Sequence, residues 1–372
     1  MNRFEAAVIG LGGMGAAVAA HLSKRGIEVC AFEQYQRGHD RGASSGRSRI
    51  IRKAYFEDPA YVPLLHRSYD LWQELAAAHA HLPIWDLVGL LIVADGRSQT
   101  VEKAARSASL HGVPFELLSA GDILQRYPML RLRANERGLF EPQAGAVFPE
   151  NALEAYLHVA QANGAQLHFD SAVISVEPRA GSVRLTLAGG EMLNAGRVAI
   201  CAGPWLSQLV DVGMPLRVQR NVQLWFTPSS DAYVKQRFPA FFLEREGLPE
   251  ALYGLPDFGD GLKAALHGYG VLTTPAQLDR EIHTDDIAAV KEPLDEWLPG
   301  AASAFAFGKA CMYTLTPDLN FIIDTLNGDR RVVVAGGFSG HGYKFCPVIG
   351  EIVADLLLDG KTRHDIGFLR IR

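Results

Sequence analysis

A glycine-rich turn near the start of the chain constrains the fold more than any other feature. We predict an apolar strand over residues 6–9, then a helix that ends at Gly26, then a second strand over 28–32 that finishes at Glu33. The turn between the first strand and the helix has the pattern G-x-G-x-x-G. Its glycines are Gly10, Gly12, Gly13 and Gly15.

This strand–turn–helix–strand unit predicts a dinucleotide site. Glycines let the backbone approach a pyrophosphate, and the helix N-terminus stabilises its negative charge. Glu33, at the end of the second strand, can accept hydrogen bonds from a ribose. The alternative is a turn that uses glycine only to pack a helix closely on a strand.

Composition excludes several other classes of protein. The chain has 372 residues, 48% of them hydrophobic, with a net charge of −5 and no run of like charges, so we expect a folded protein that does not bind nucleic acid. Its four cysteines are far apart, which indicates neither a metal site nor disulfides and favours the cytoplasm. The uncharged run over 6–23 contains the glycine turn, so we expect no membrane segment.

A second glycine-rich loop lies near the C-terminal end of the chain. A buried strand is predicted over 331–335, followed by the loop 336–342 and a helix over 348–358. A strand over 197–203 is predicted to return to the first sheet, whereas 216–305 is predicted to contain strands and loops. The division that we expect is a discontinuous nucleotide-binding domain, 1–80, 150–215 and 306–372, and a substrate domain, 81–149 and 216–305.

Two distant glycine units suit a long cofactor that lies across the molecule. The second helix would direct its N-terminus at a ring that becomes negative on reduction, as a flavin does. This arrangement favours FAD, and NAD remains the alternative.

Four stretches resemble the sarcosine oxidase family of amine-oxidising flavoproteins. They are 10–15 with Glu33; 48–55; 310–314 with 317–318 and 321–324; and 337–345. The resemblance implies an α/β (α+β) two-domain fold of the D-amino-acid oxidase type, with a Rossmann-like FAD-binding domain and a mixed-sheet substrate domain.

The resemblance also implies roles for individual residues. It implies that Cys311 bonds covalently to the flavin, that Arg49 lies beside the ring, and that Arg52 and Lys344 bind a substrate carboxylate. Lys263 is implied as the cation that activates oxygen. By residue type alone, Cys311 would be an ordinary buried cysteine, and the lysines and arginines would be solvated surface charges.

Other implied site residues carry weaker signals. Tyr253 and His267 match substrate-pocket positions, although such residues are commonly structural. Phe242 falls where the family varies and is expected to shape the apolar wall. The loop 44–47 departs from the bacterial sarcosine oxidases towards the pipecolate oxidase pattern, which leaves the substrate open. The expected cofactor-binding residues are Gly10, Gly12, Gly13, Gly15, Glu33, Ser45, Arg49, Cys311, Gly337, Gly340, Gly342 and Lys344.

The expected activity is oxidation of a secondary amino acid such as sarcosine or pipecolate. Hydride transfer to covalent FAD would give an imine, and O₂ would be reduced to hydrogen peroxide by a monomeric enzyme. Three alternatives remain at this point: a flavin dehydrogenase with another electron acceptor, an NAD-dependent dehydrogenase, and a flavin-binding protein without catalysis.

Overall fold

The computed structural model describes residues 3–248 and 250–371. Its helices are α1 (Gly13–Lys24), α2 (Val62–Ala78), α3 (Thr100–Leu110), α4 (Ala120–Arg126), α5 (Pro149–Ala162), α6 (Leu206–Leu209), α7 (Thr284–Trp297) and α8 (Cys346–Asp359). Its strands are β1 (Arg3–Ile9), β2 (Val29–Phe32), β3 (Arg49–Ile51), β4 (Trp85–Asp86), β5 (Leu90–Ala94), β6 (Glu116–Ser119), β7 (Arg137–Glu141), β8 (Gly145–Val147), β9 (Gln166–His168), β10 (Val173–Arg179), β11 (Ser182–Leu187), β12 (Met192–Ile200), β13 (Arg217–Thr227), β14 (Ala240–Glu244), β15 (Leu252–Leu255), β16 (Leu262–Leu266), β17 (Val271–Thr273), β18 (Ala304–Leu315), β19 (Ile322–Leu326) and β20 (Asp329–Gly336).

The first sheet carries the predicted nucleotide unit. Its order is β10-β11-β12-β1-β2-β9, and β20 pairs with both β12 and β19. β1, β2, β12 and β20 form its parallel centre, where residues 6–9, 29–32, 198–200 and 332–334 are all buried, as continuous apolar runs predict. The predicted return of the strand over 197–203 to this sheet is therefore confirmed.

Helices α1 and α8, which follow the two glycine-rich loops, bring these loops together by packing against each other. α1 packs against α5 and α8, and the approach is close, because a Cβ atom on Gly350 of α8 would lie 2.8 Å from Ala17 of α1. The two loops therefore open side by side at the same end of the sheet.

A second sheet of nine strands has the order β17-β13-β16-β15-β14-β5-β7-β6, and β18 pairs along β13. Helix α7 covers this sheet with Val290, Leu294 and Trp297, which are all buried. The expectation of only strands and loops over 216–305 is wrong here. The apolar face of α7 lies mainly in its C-terminal half. The acidic first turn and Pro293 weaken the helical pattern in the sequence.

The predicted domain boundary at 305/306 falls inside β18. β18 pairs with β13 of the second sheet. The segment that carries Cys311 is therefore part of the sheet assigned to the substrate domain. A small third sheet, β3-β8-β4, joins Arg49 to the region before α5. Within residues 3–248 and 250–371, every helix is too short or too polar to cross a membrane.

The glycine turn generates a test of this packing. A Cβ atom on Gly15 would lie 1.8 Å from the carbonyl oxygen of Gly10, so Gly15→Ala must push α1 away from β1. We expect a loss of about 1–3 kcal/mol in the free energy of unfolding, measured by chemical denaturation. Gly189→Ala is the control, because a Cβ atom there meets nothing within 4 Å. Equal stability of the two variants would contradict the close approach.

Candidate active site

The site is a cavity of about 400 Å³ that runs from the glycine turn to β18 and is lined by residues from both large sheets. It contains nearly all of the side chains and glycines predicted from the sequence. The two exceptions are Gly15, which lies inside the turn, and Lys263, which lies behind the cavity wall.

At the nucleotide end, Glu33 is a fixed hydrogen-bond acceptor. Its Oε2 accepts the Leu11 N–H at 2.9 Å, its Oε1 accepts the Tyr35 N–H at 3.2 Å, and His39 Nε2 lies 3.2 Å from the same oxygen. Burial raises the pKa of Glu33, but His39 and the two N–H groups outweigh it, and the net shift is downward. Glu33 therefore remains a carboxylate at the end of β2.

The N-terminus of α1 faces the same part of the cavity. The Gly13 N–H donates to Ser44 Oγ at 3.0 Å, and a Cβ atom on Gly12 would lie 3.1 Å from that oxygen. Ser45, the residue chosen from the sequence, lines the cavity but donates to the Asp40 carbonyl oxygen at 3.5 Å. A bare glycine backbone, a helix N-terminus and a fixed carboxylate together fit the phosphate and ribose groups of a dinucleotide.

Cys311 lies in the middle of the cavity, beside Arg49. Its side chain is buried, and Sγ is 3.9 Å from Arg49 Nη2. Arg49 also donates to Gln223 Oε1 at 2.9 Å, a partner that the sequence did not indicate. The carbonyl groups that accept from Arg49 belong to Ala43, Ser45, Gly46 and Ser48. The guanidinium is thus held next to the sulfur by neutral groups.

Lys263 is buried directly behind Arg49. Its Nζ donates to the carbonyl oxygens of Gly46 and Ser48, at 3.0 and 2.5 Å, and both carbonyls also accept from Arg49. Nζ lies 4.9 Å from the centre of the Trp225 ring. Burial, with Arg49 nearby, holds the pKa of Lys263 well below its usual range.

Arg52 occupies the other end of the cavity. Its guanidinium lies 4.4 Å from the centre of the Tyr55 ring and 4.0 Å from that of Phe56. Nη1 donates to the Ala54 carbonyl at 3.1 Å, and Nη2 donates to Glu57 Oε1 at 2.5 Å. Glu57 Oε2 is buried without a hydrogen-bond partner. Burial raises the pKa of Glu57, but Arg52 overcomes this and lowers it to about 2.

Lys344 is the second cation at this end. Its Nζ donates to the His341 carbonyl at 2.7 Å, while Ser68 and Trp72 of α2 donate to its own carbonyl at 2.5 and 3.0 Å. Burial, followed by the charge of Arg52, lowers the pKa of Lys344 to about 7. Lys344 therefore changes charge near neutral pH, whereas Arg52 does not.

His341 is held as a neutral ring. Its Nε2 lies 3.1 Å from the Leu319 carbonyl, which can only accept, so Nε2 carries the proton and Nδ1 accepts from Tyr55 Oη at 2.5 Å. Burial lowers the pKa of His341 to about 3, which agrees with this tautomer. His341 thus fixes the ring of Tyr55, on which Arg52 stacks.

The remaining wall is aromatic. Tyr253, Phe242 and Tyr313 surround the ring of His267, with centroid distances of 6.1, 6.2 and 6.0 Å. Phe242 also contacts Phe56, at 4.9 Å between centroids. Burial lowers the pKa of His267, so this wall is apolar or neutral beside two cations.

Sequence reasoning missed three side chains that touch the predicted ones. Glu57, Gln223 and His341 all line the cavity. A signal existed for Glu57. This acid follows Arg52 by five residues, and two aromatic residues directly precede it, which is a pattern that indicates a buried ion pair. His341 lies within the glycine-rich loop already singled out, whereas Gln223 carried no local signal.

Comparison with known proteins now settles the family. The model of a family described as FAD dependent oxidoreductase (DAO) matches residues 5–356. The chain belongs to this family. It is 41% identical to the monomeric sarcosine oxidase of Streptomyces avermitilis over 98% of this chain and 96% of that one. It is 34% identical to the N-methyl-L-tryptophan oxidase of Salmonella dublin over 99% and 98% of the two chains.

Solved structures show the same fold. NikD, an amino acid oxidase of nikkomycin biosynthesis, superposes with a TM-score of 0.88 at 22% identity and covers 100% of this chain and 98% of its own. Glycine oxidase from Geobacillus kaustophilus gives 0.84 at 22% identity, with 100% and 99% covered. The predicted D-amino-acid oxidase type of fold, the resemblance to the sarcosine oxidase family and the choice of FAD over NAD are confirmed. The protein is therefore an FAD-dependent oxidoreductase.

Proposed function

We propose that the protein is an oxidase of a secondary amino acid with a free carboxylate, and that its FAD is attached through Cys311. The observation that carries this proposal is a pair of buried cations, Arg52 and Lys344, at one end of the cavity that also contains Cys311. The names of the relatives support it, since each is named as an oxidase of an N-methylated amino acid.

FAD, when bound, would supply the hydride acceptor for the substrate, with O₂ as the proposed final acceptor of the electrons. We propose that Glu33, the glycine turn and the N-terminus of α1 hold its nucleotide half, and that Cys311, Arg49 and the loop 337–342 hold its ring. The loop residues assigned to this role are Gly337, Gly340 and Gly342. A Cβ atom on Gly340 would lie 2.3 Å from the Tyr313 ring, so the loop passes very close to β18.

Arg52 and Lys344 are proposed to bind the substrate carboxylate. Glu57 now accepts from Arg52, and an incoming carboxylate would compete with it for the same guanidinium. The neutral wall of Phe242, Tyr253 and His267 would contact the substrate's carbon skeleton. This binding orients the carbon–hydrogen bond, and the imine product leaves and hydrolyses in water.

Lys263 is proposed to favour oxygen as the electron acceptor. Electron transfer to O₂ builds negative charge, which a fixed cation stabilises. Hydrogen peroxide would then be the second product. Lys263 lies behind the cavity wall, however, and that position favours a second candidate: a dehydrogenase that reduces an acceptor other than oxygen.

We further propose that the protein is a monomer in the cytoplasm, divided into the two domains predicted above except that β18 belongs with the substrate domain. The name of the Streptomyces relative supports the first point, and four buried cysteines without a disulfide support the second.

Covalent attachment is tested by replacing Cys311. Acid-precipitated wild-type protein is expected to give a yellow pellet and a fluorescent band on a denaturing gel, and Cys311→Ala is expected to release the colour because the thioether cannot form. Cys346→Ala is the matched control, since this cysteine is also buried and lines the cavity. A wild-type pellet that washes colourless would show that the attachment is wrong.

The carboxylate site predicts a pH dependence. The pKa of Lys344 is lowered to about 7, so its charge is present below that pH and is lost as pH rises through it. The inhibition constant of propionate, which has a carboxylate and no amine, should rise about tenfold between pH 6 and pH 9 as one charge-assisted bond is lost. Lys344→Met should show weak inhibition at every pH. A constant value for the wild type would contradict the assignment.

Replacing Lys263 tests whether the protein is an oxidase or a dehydrogenase. Lys263→Met keeps the carbon stem but loses the charge, so anaerobic bleaching by substrate should stay near normal. Recovery of the yellow colour in air should slow about 10²–10³-fold, as followed by stopped-flow absorbance. Lys291→Met, on the half-exposed face of α7, is the control. If wild-type protein itself recovers slowly in air but rapidly with an artificial acceptor, the dehydrogenase candidate replaces the oxidase.

A further inference from the structure

Glu141 is a fully buried carboxylate for which the proposed reaction has no use. It is the last residue of β7, and its exposed fraction is 0%. Its Oε1 accepts the Lys53 N–H at 2.8 Å and its Oε2 accepts the Ala54 N–H at 2.9 Å. Burying a carboxylate costs free energy unless hydrogen bonds or an opposite charge stabilise it.

The geometry favours the ionised form of Glu141. Two consecutive N–H groups point at its two oxygens, so both oxygens accept, which a protonated carboxyl does less well. Burial raises the pKa of Glu141, and the N–H groups of Ala54 and Lys53 oppose that rise without reversing it. The loop after Arg52 thus forms a small anion-binding nest that is filled from within the chain.

The same two residues connect Glu141 to the substrate site. The N–H of Ala54 donates to Glu141, while its carbonyl accepts from Arg52 Nη1 at 3.1 Å. The Lys53 side chain is held nearby, because its Nζ donates to Gln143 Oε1 at 2.5 Å. The backbone that orients the Arg52 guanidinium is therefore fixed to the end of β7.

We propose that Glu141 is a positioning residue for substrate carboxylate recognition, acting through the Lys53–Ala54 backbone on Arg52. This inference rests on the proposed function, in which Arg52 binds the carboxylate. Glu141 itself does not line the cavity, so its effect on substrate is indirect.

The test compares substrates that differ only in the carboxylate: sarcosine with dimethylamine, and N-methyl-L-tryptophan with N-methyltryptamine. Glu141→Gln leaves one acceptor and places an NH₂ group against the other N–H. The preference for the carboxylated member, as a ratio of kcat/KM values, is expected to fall at least tenfold in the holoenzyme. Activity on the amine without a carboxylate should change less than about threefold.

A double-mutant cycle separates positioning from a general structural role. In an Arg52→Met background, Glu141→Gln should cause no further loss of preference, because the guanidinium is already absent. Glu141→Asp keeps the charge and should give a smaller loss that also vanishes in that background, and it carries the test if Glu141→Gln does not fold.

Asp95→Asn is the matched control. Asp95 is buried and likewise accepts backbone N–H groups on both carboxylate oxygens, from Arg97 and Ser98 on one and from Glu246 on the other, at the opposite end of the β5–β7 pair. It should leave the preference unchanged. If Arg52→Met abolishes the preference and the Glu141 variants retain it, the positioning role is wrong and the proposed function stands. If wild-type protein has no preference, both are wrong.

Discussion

The site depends on burying positive charge against neutral carbonyl groups. Arg49, Lys263 and Lys344 are all held by main-chain oxygens, and of these three and Arg52 only Arg52 is paired with a carboxylate, that of Glu57, within residues 3–248 and 250–371. Burying a charge is costly unless it is hydrogen-bonded. Carbonyl dipoles lower that cost without adding an opposite formal charge, so the guanidinium of Arg49 beside Cys311 stays unpaired by any carboxylate of the described residues.

This arrangement constrains the backbone of the loop 43–48, because its carbonyl groups must point inward at Arg49 and Lys263. The loop does so with left-handed conformations at Gly46 (φ +121°) and Arg47 (φ +58°). The N–H groups of the same two residues then point to Glu150 Oε1, at 2.8 and 3.0 Å. A carboxylate in the first turn of α5 thus holds a loop whose oxygens serve the active site, much as Glu141 holds the loop after Arg52.

Local patterns in the sequence predicted the parts of the fold that are local in the chain. The glycine turn, the α1 helix and the parallel strands follow from short-range periodicity and turn chemistry, and most of the residues that the family motifs indicated line the cavity. Glu57 is only five positions from Arg52, but two other partners act across long separations: Arg49 and Gln223 are 174 positions apart, and Lys53 and Glu141 are 88 apart. Such contacts are set by strand order and register, for which no spacing rule exists in one sequence. Ser44 was missed in favour of Ser45 because neighbouring serines on a loop differ only in direction.

The burial of position 52 explains why an arginine suits this position better than a lysine. Lys344 and Arg52 are each 6% exposed, and burial there lowers the pKa of the lysine to about 7. A lysine at position 52 would be a titratable ammonium group, whereas a guanidinium keeps its charge. The flat guanidinium also stacks between Tyr55 and Phe56, which an ammonium group cannot reproduce. In the proposed carboxylate site, a permanent cation beside a titratable one would give binding that persists at alkaline pH and strengthens as pH falls.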